Sequence, residues 1–530
     1  MVNKMTKKII SIFISIVLLM TCFAGCSSDD DKYFSCAINT MPEHFDPQVA
    51  ESQGEKIVAV NIFDGLFKLD EQGAPQKCAI SDYKISEDGL TYTFYLNKDM
   101  KYFISNSVKS FLEEKEISID GKVTAHDFAF GLTRGILPET NAPGYELISA
   151  IKNAENVHNN IGKASDLGLR VIDDYTLEIT LERKDDNFIY ALSQPVSYPC
   201  DEEFFNLTNG RYGLEKKYII SNGAFYLSDI VDKESVRITK NEEYKGNFAA
   251  NPISVRLYVN NDQADIAKKI NKKTYSASFL TNQVAVEELN KKVIQTSFNN
   301  ITTSLVFNMS RTTIQNNSLR IGLVEGIELS SLTDKPTNIL VPTHYKMSVN
   351  SVECLSTNVS DARAKMKKAL NELDMDKVTI NILCTTEYET MAKAIISCWQ
   401  KNIGVELNGT LTVVESADFR TKVNKGDFDL AIYPLSIDLA DSGDFLSMFT
   451  TNHRKNIGKY SSDEYDRLVK EYKMYPSEQK CKDCQSYLLK NAVVMPITTE
   501  STVFAYAKGV TGIYFCGDTS NVYFYKGQKK

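Results

Sequence analysis

VTINILCTTEYETMAKAIISCWQKNIGVEL, residues 378–407, joins three segments that differ in length and pattern. Residues 378–383 form a short, largely apolar segment that is typical of a β-strand. Residues 388–402 are long enough for an α-helix, and residues 403–407 form a second strand-like segment. Because a helix that connects two strands of one sheet usually joins parallel neighbours, this order predicts a βαβ unit.

The flanking sequence extends the alternation in both directions. Residues 361–373 carry apolar side chains on one face of a helix, and residues 428–433 form a further strand. Earlier in the chain, residues 90–96 alternate apolar and polar side chains, and residues 170–181 contain a strand, an Asp-rich turn and another strand. The chain is therefore expected to be mixed α/β, with a β-rich first part.

The N-terminus has the features of a secretory signal peptide. Lys4, Lys7 and Lys8 precede a mostly apolar run, residues 9–24. This run is shorter than the ~20 residues that a membrane-spanning helix needs, but it fits the apolar region of a signal peptide. We therefore predict that residues 1–25 are a signal peptide, with an uncleaved anchor helix as the alternative.

The end of this segment, Phe-Ala-Gly-Cys at residues 23–26, resembles the bacterial lipobox. Phe23 departs from that pattern, which usually has Leu at this position. The resemblance implies that Cys26 carries the lipid of a lipoprotein, a diacylglycerol with palmitate. Residues 26–32 would then be a tether to the extracytoplasmic face of the cell membrane.

Composition excludes some classes of partner. The formal net charge is −8, and it becomes more negative when the three N-terminal lysines are removed. An acidic protein of this kind is not expected to bind nucleic acid. No later segment approaches the ~20 consecutive apolar residues of a transmembrane helix. With 43% hydrophobic and 24% charged residues, the remainder has the composition of an ordinary globular protein.

Cysteine and histidine, residue types that often catalyse reactions or bind metals, are scattered along the sequence. Nine cysteines follow Cys26 at irregular spacing, so no disulfide framework can be assigned. Cys481 and Cys484 have C-x-x-C spacing in a helix-forming segment, which favours two cysteines on a helix face over a zinc or redox site. The five histidines form no H-E-x-x-H motif, and the sequence contains neither G-x-S-x-G nor a glycine-rich phosphate loop. We therefore expect no enzyme activity, cofactor or metal.

Several short motifs, taken in order, resemble extracellular solute-binding protein family 5, the peptide, dipeptide and nickel ABC-transporter binding proteins. The oligopeptide-binding branch is the most similar. Each motif is weak alone, and the resemblance rests on their order across about 45–500. The motifs are FDP at 45–47, NIFDGL at 61–66, DGKVTAHDF at 120–128, SNGAF at 221–225, KNIGV at 401–405, GDFDLA at 426–431 and VMP at 494–496.

The resemblance implies an α/β fold with two lobes, that of the periplasmic binding proteins of type II, cluster C. An extra domain is inserted in the first lobe, and two crossing segments form the hinge. The expected boundaries are residues 33–63, 183–258 and 496–530 for the first lobe, 64–182 for the inserted domain and 259–495 for the second lobe.

The resemblance also implies a function. The chain is expected to be the substrate-binding protein of an ABC importer, a lipid-anchored monomer that binds oligopeptides and delivers them to the permease. Two permease subunits and two ATPases would be its partners. Two alternatives remain open: a non-peptide ligand in the same fold, such as a nickel chelate, haem or sugar, or a role as a signalling receptor for a peptide pheromone.

One carboxylate is the principal candidate for ligand binding. In peptide-binding relatives, an aspartate that follows the G-x-F-D strand pairs with the α-amino group of the peptide. Ungapped counting from Gly426 places Asp438 at that position, with Asp441 next if the register shifts. In a closed cleft, a carboxylate makes strong charge-assisted hydrogen bonds with an ammonium group. The alternative for Asp438 is a solvated loop residue or a helix cap.

Two segments correspond to those that bind the peptide backbone in relatives. They comprise Glu51, Ser52 and Gln53 near the FDP motif, and Pro434, Leu435 and Ser436 before Asp438. Binding of an added strand reads backbone groups and tolerates many side chains. Pro434 departs from the pattern because it has no N–H to donate.

Other positions bear on the pocket. Leu435 replaces an aromatic residue of the relatives, and Ile432 replaces a basic side chain that some of them use near a peptide C-terminus. Tyr145 and Tyr258 correspond to pocket or supporting tyrosines, with simple packing as the alternative. Trp399, the only tryptophan, is expected in the core.

Overall fold

The computed structural model describes residues 32–437, 441–516 and 521–530. The predicted lipidation site Cys26 and the predicted amine-binding residue Asp438 lie outside these described residues. Within them, no helix combines the length and apolar character that crossing a bilayer requires. The chain folds into a mixed α/β structure, which confirms the fold class expected from the pattern of segments.

Twenty strands form in the described residues. They are β1 Tyr33–Ile38, β2 Phe67–Leu69, β3 Pro75–Lys77, β4 Ile80–Ile85, β5 Thr91–Leu96, β6 Leu169–Asp173, β7 Thr176–Thr180, β8 Phe225–Val231, β9 Ser235–Lys240, β10 Ser254–Val259, β11 Ala277–Leu280, β12 Ile294–Phe307, β13 Val378–Thr385, β14 Leu407–Val414, β15 Leu430–Leu435, β16 Val494–Tyr506, β17 Val510–Thr511, β18 Tyr514–Phe515, β19 Val522–Tyr523 and β20 Gln528–Lys529.

Seventeen α-helices form in the same residues. They are α1 Gln53–Ile62, α2 Asn106–Glu114, α3 Ala125–Ile136, α4 Tyr145–Ile148, α5 Ala154–His158, α6 Phe188–Ala191, α7 Glu202–Leu207, α8 Gln263–Asn271, α9 Gln283–Glu287, α10 Thr312–Gln315, α11 Asn317–Glu325, α12 Val359–Leu373, α13 Glu389–Asn402, α14 Ser416–Lys425, α15 Ser442–Ser447, α16 Asp463–Met474 and α17 Glu478–Lys490.

The largest sheet has ten strands in the order β14-β13-β15-β12-β16-β11-β1-β10-β9-β8. β13 pairs in parallel with both β14 and β15, and α13 connects β13 to β14, so the predicted βαβ unit is confirmed. The prediction of a strand at 403–407 is wrong. A turn occupies residues 403–406, with Gly404 at a φ of 109°, and the strand begins only at Leu407.

Two large hydrophobic clusters organise the packing. The first cluster consists of buried residues within 34–298 and 503–525. The second cluster consists of buried residues within 305–497. α8, β11 and α9, which follow the expected boundary at residue 259, pack in the first cluster. A separate four-stranded sheet, β4-β5-β7-β6, lies within the range expected for the inserted domain.

The antiparallel strands β12 and β16 belong to both clusters. Phe298 and Val503 pack in the first cluster, whereas Leu305 and Val494 pack in the second. The pairing of the two strands has register shifts within residues 299–304, between the parts that enter the two clusters. One hydrogen-bonded ladder therefore connects the two halves of the protein.

Cys481, Cys484 and Trp399 lie where the sequence predicts them, on helices. The described cysteines are all free thiols, and Cys481 and Cys484 are both buried on α17. Trp399 is fully buried in the second cluster, and its indole N–H donates to the carbonyl of Leu323 at 2.9 Å. Its expected place in the core is therefore confirmed.

Candidate functional site

A cavity of about 110 Å³ is lined by residues from both halves of the protein. Gln48 and Ala50 lie on the side of the first hydrophobic cluster, and Ile437 and His453 lie on the side of the second. The two segments expected to bind a ligand backbone begin or end at this cavity, because Ala50 precedes Glu51 and Ile437 follows Ser436. We therefore take this cavity as the candidate ligand site.

The segment of Glu51, Ser52 and Gln53 forms the start of α1. Ser52 is the N-cap of the helix, and its hydroxyl accepts a hydrogen bond from the N–H of Glu55 at 3.3 Å. The Glu55 carboxylate accepts the N–H groups of Glu51 and Ser52 at 3.0 and 2.9 Å, which completes a capping box. These two N–H groups are therefore already used within the protein.

The carboxylate of Glu55 is stabilised by hydrogen bonds from backbone N–H groups. Burial raises its pKa, but the hydrogen bonds from Glu51 and Ser52, with His44 nearby, outweigh burial and hold the pKa below its ordinary value. A third N–H, that of Glu43, donates to the same carboxylate at 3.1 Å. Glu55 therefore fixes the whole wall segment ahead of α1.

A buried guanidinium fixes the neighbouring part of the same wall. Arg134 on α3 forms a two-pronged ion pair with Asp46, at 2.5 and 3.2 Å, and both side chains are 8% exposed. The same guanidinium donates to the Gln48 side-chain oxygen at 2.6 Å, and the Gln48 amide donates to the carbonyl of Tyr198 at 2.8 Å. The carboxamide of Gln48, a residue that lines the cavity, is thus held in a fixed orientation.

Leu435 and Ser436 lie at the end of β15. Leu435 is buried and pairs with Thr302, while Pro434 pairs with Thr303. Ser436 is exposed. Ile432, where some relatives carry a basic side chain, is buried in the second hydrophobic cluster. No positive charge is therefore present at that position of β15.

Tyr345 fixes the chain just before Asp438. Its hydroxyl accepts the N–H of Ile437 at 2.9 Å and donates to the carbonyl of the same residue at 3.1 Å. No family motif covers the segment around Tyr345, so the motifs do not predict this residue. The tyrosine holds the last described residue before Asp438 at the cavity.

Asp441 acts as a helix cap. Its carboxylate accepts the N–H groups of Gly443 and Asp444 at the start of α15. Burial, followed by repulsion from Asp444, raises the pKa of Asp441, although the two hydrogen bonds oppose this effect. The cap accounts for the carboxylate, so Asp441 is a weaker candidate for ligand binding than it was from sequence alone.

Two ion pairs lie at the cavity. Arg454 donates to Glu51 at 2.5 Å and so joins the two halves, while Lys473 on α16 donates to Asp444 on α15 at 3.0 Å. Burial opposes the charge of Lys473, but the attraction of Asp444 outweighs it and raises the pKa of the lysine. No local motif marks Arg454 or Lys473, so neither residue is predicted from the sequence.

The two predicted tyrosines are engaged in packing. The ring of Tyr145 stacks on His158 with centroids 3.7 Å apart, and the ring of Tyr258 stacks on Tyr275 with centroids 5.7 Å apart. Neither lines the cavity, whereas Glu146, the neighbour of Tyr145, does. Tyr145 therefore lies between residues that line the cavity without lining it itself.

The described residues offer no ready metal site. Within residues 32–437, 441–516 and 521–530, no group of three or more His, Cys, Asp or Glu side chains is arranged to hold an ion. The cavity instead presents amide, ammonium, guanidinium and carboxylate groups. Such groups bind an organic ligand through hydrogen bonds and ion pairs.

Comparison with known proteins agrees with this architecture. The dipeptide-binding protein of Lactococcus lactis is 22% identical over 95% of this chain and 95% of its own length. The substrate-binding domain of an oligopeptide ABC transporter from Bacillus anthracis is 23% identical, covers 94% of this chain and 99% of its own, and has a TM-score of 0.79. Listeria monocytogenes OppA bound to peptide gives 22%, the same coverage and the same TM-score.

These likenesses establish the fold and confirm the predicted two-lobed architecture. The model of the middle region of the bacterial extracellular solute-binding proteins, family 5, matches residues 46–456. That match spans most of the chain and confirms the resemblance drawn from the motifs. The chain belongs to the bacterial extracellular solute-binding proteins of family 5.

Proposed function

We propose that the protein is a lipid-anchored receptor on the outer face of the cytoplasmic membrane, which binds oligopeptides and delivers them to an ABC permease. The observation that carries the proposal is the cavity lined by both halves of a family 5 protein. Curated relatives named as dipeptide- or oligopeptide-binding proteins support a peptide as the ligand.

The chemistry of the cavity wall fits a peptide backbone. Three buried carboxamides, those of Gln48, Gln194 and Asn521, line the side of the first hydrophobic cluster. A side-chain amide has both donors and an acceptor, as a peptide group has. Gln48 already bonds to Arg134 and Tyr198, and Gln194 bonds to Ser193 and Asn521, so these amides would hold a backbone only through their remaining donors and lone pairs.

We assign the α-amino group of the peptide to Asp438. This residue follows directly on Ile437, which lines the cavity and is fixed by Tyr345. Leu435 and Ser436 precede it, with Ser436 the more exposed of the two. The opposite segment, from Glu51 to Gln53, would contribute the carbonyl and the side chain of Glu51, because the N–H groups of Glu51 and Ser52 are bonded to Glu55 and the carbonyl of Ser52 accepts the N–H of Lys56.

Closure of two lobes on the ligand follows from the same arrangement. The two hydrophobic clusters would be the cores of the lobes, and β12 with β16 would form the hinge. The pair Arg454–Glu51 would form as the lobes close.

The test is to identify what the protein carries. Residues 27–530 are expressed without the signal peptide, purified under native conditions and denatured, and the released small molecules are identified by mass spectrometry. A series of short peptides is the expected result. One defined peptide would favour a pheromone receptor. A metal chelate, haem or sugar would contradict peptide binding, as would an empty protein with no thermal shift in a peptide pool.

The lipid anchor has its own test. Cys26→Ser in the full chain should abolish lipidation and release the protein to the medium, while Cys354→Ser, a matched change in the folded part, should leave it in the membrane fraction. Retention of the Cys26→Ser protein at the membrane would contradict the lipobox assignment. Peptide binding by the purified protein does not depend on this outcome.

A further inference from the structure

A second cavity, of about 200 Å³, lies within the second half of the protein. It lies between the end of α11, the loop of residues 326–358 that joins α11 to α12, the end of α17 and the start of β16. Its lining residues fall within 324–357 and 489–496, and none of them lines the candidate ligand site. The two cavities are therefore separate.

The lining of the second cavity has an apolar floor and a polar opening. The floor consists of side chains that are buried in the second hydrophobic cluster: Val324, Ile327, Leu489, Val494 and Met495. Three exposed polar residues mark the opening to solvent: Asn338, Ser356 and Thr357. Among the described residues that line the cavity, none carries an ionised side chain, because burial raises the pKa of the Cys354 thiol and keeps it neutral.

This lining selects the chemistry of an occupant. A charged group without a partner is costly to bury, so the floor excludes ions. Apolar walls that face empty space lack packing contacts, which an apolar molecule of the right size would supply. An engineered apolar cavity of about 150 Å³ binds benzene, so a space of about 200 Å³ accommodates a somewhat larger molecule.

The loop that lines the second cavity also fixes the candidate ligand site. Both ends of the loop line the cavity. Between these ends, the hydroxyl of Tyr345 bonds to the N–H and the carbonyl of Ile437, and the carbonyl of Lys346 accepts the hydroxyl of Ser442. One loop therefore holds the chain on both sides of Asp438.

The middle of the loop is anchored to the elements that form the cavity floor. The N–H of Thr337 donates to the carbonyl of Ile497 on β16 at 2.9 Å. The side-chain oxygen of Gln485 on α17 accepts the N–H groups of Leu340 and Val341, both at 3.0 Å. A shift of α17 or β16 at the floor is therefore passed to the loop through direct hydrogen bonds.

We propose that the second cavity binds a small uncharged molecule with an apolar body and one polar end, such as an aliphatic alcohol, and that its occupancy strengthens binding at the candidate ligand site. A filled cavity would hold the loop in the arrangement that fixes Ile437, so less ordering is left for the peptide to impose. Binding in the second cavity goes beyond the proposed function and does not depend on it, whereas the effect on peptide affinity rests on it. The competing interpretation is a packing void that stays empty.

The experiment uses the folded protein, residues 27–530, after removal of bound ligand. The probes are 1-hexanol and 1,6-hexanediol, which have the same length but one and two polar ends. Ligand-detected NMR measures binding, and Trp399 fluorescence gives a second signal, because its indole bonds to the carbonyl of Leu323 next to Val324. The rate at which a thiol reagent modifies Cys354 gives a third, since this residue lines the cavity.

Two substitutions at one position separate the cavity from other sites. Cys354→Phe places an aromatic ring in the cavity, whereas Cys354→Ser leaves the space open. Leu355→Phe is a second filling variant, in case Cys354→Phe fails to fold, and urea midpoints check that each variant is folded. Leu355 lines the cavity and is half-buried.

The expected result is that 1-hexanol binds and slows modification of Cys354. The diol should bind on the order of tenfold more weakly, because one hydroxyl would be buried without a partner. Cys354→Phe and Leu355→Phe should abolish binding of 1-hexanol, while Cys354→Ser retains it. In isothermal titration with tri-, tetra- and pentaalanine, saturating 1-hexanol should raise peptide affinity by on the order of fivefold in the wild-type protein but not in the filled variants.

Absence of 1-hexanol binding would overturn the proposal, as would binding that the filled variants leave unchanged. Equal binding of the alcohol and the diol would overturn the requirement for an apolar body. Peptide affinity that 1-hexanol leaves unchanged or lowers would overturn the effect on the ligand site. If no alanine peptide binds, that effect fails together with the proposed function, and 1-hexanol binding alone then decides whether the second cavity is a site.

Discussion

Arg134→Met tests the buried ion pair that fixes the cavity wall. The substitution keeps much of the length of the side chain but removes the charge, so Asp46, 8% exposed, loses both bonds to the guanidinium. Breaking a buried pair by removing one partner costs about 3–5 kcal/mol. The contact of the guanidinium with the ring of Phe205, 4.1 Å away, is lost as well. We therefore expect the free energy of unfolding to fall by about 3–5 kcal/mol.

The assay is urea unfolding of residues 27–530, followed both by far-ultraviolet circular dichroism and by Trp399 fluorescence. Trp399 is buried in the second hydrophobic cluster, whereas Arg134 lies on a helix of the first, so fluorescence follows the second half and dichroism follows both. The dichroism transition should shift to lower urea. Arg467→Met, in an exposed pair with Glu471, is the control, with an expected cost of about 0–1 kcal/mol.

A loss below about 1 kcal/mol for Arg134→Met would refute the reasoning, because it is the range of exposed ion pairs. A second variant tests the cause. Asp46→Asn combined with Arg134→Met removes the stranded charge, and it should recover part of the lost stability. Failure of this recovery would show that packing of the arginine, and not its charge, supports the wall.

Three further predictions follow from other contacts. The fold holds the pKa of Glu55 below its ordinary value, so the ionised carboxylate stabilises the protein above the ordinary pKa, and this stabilisation is lost as the pH falls through the folded pKa. Glu55→Gln should therefore lower the stability at neutral pH and make the stability decline less steeply in acid. Urea midpoints between about pH 7 and about pH 3 measure both effects. Asp438→Asn should weaken binding of peptides with a free amine by on the order of 2–5 kcal/mol in titration calorimetry, and unchanged affinity would remove Asp438 from the site. Cys354, half-buried where the other described cysteines are buried, should react first with a thiol reagent in the native protein, and Cys354→Ser should remove that fast phase.

Local sequence patterns predict the strands and helices that pack against elements close to them in the sequence. Residues 378–383 and 388–402 were expected as a strand and a helix, and they form most of β13 and α13. The strand expected at 403–407 begins at its last residue, because the turn at Gly404 displaces it. The residue pattern identifies an apolar segment, but it does not determine the residue at which the strand begins.

Local patterns failed for the strands that join the two halves. β12 contains several polar residues that are buried, including Thr302 and Ser304, so it shows no clear apolar alternation. Its partner β16 lies about two hundred residues later in the sequence, and only the structure brings the two together. Their pairing depends on tertiary contacts that no local pattern encodes.

The same distinction applies to the site. Family motifs located the segments around Glu51 and Ser436, which adjoin the cavity. They did not identify Arg454, because its partner Glu51 is 403 residues away in sequence and the loop around it has no motif. The roles of Tyr345 and Arg134 also come from long-range hydrogen bonds, which a single sequence does not reveal.

The paired strands β12 and β16 have a consequence for the speed of opening. Their register shifts lie between the two hydrophobic clusters, and irregularities of this kind bend a strand while the ladder on either side stays intact. If β12 and β16 form the hinge of the proposed closure, a bend at these shifts would leave the regular ladder on either side paired. On that proposal, we expect the rate of ligand escape to depend more on rupture of the contacts that face each other across the cavity, such as Arg454–Glu51, than on the stiffness of the paired strands.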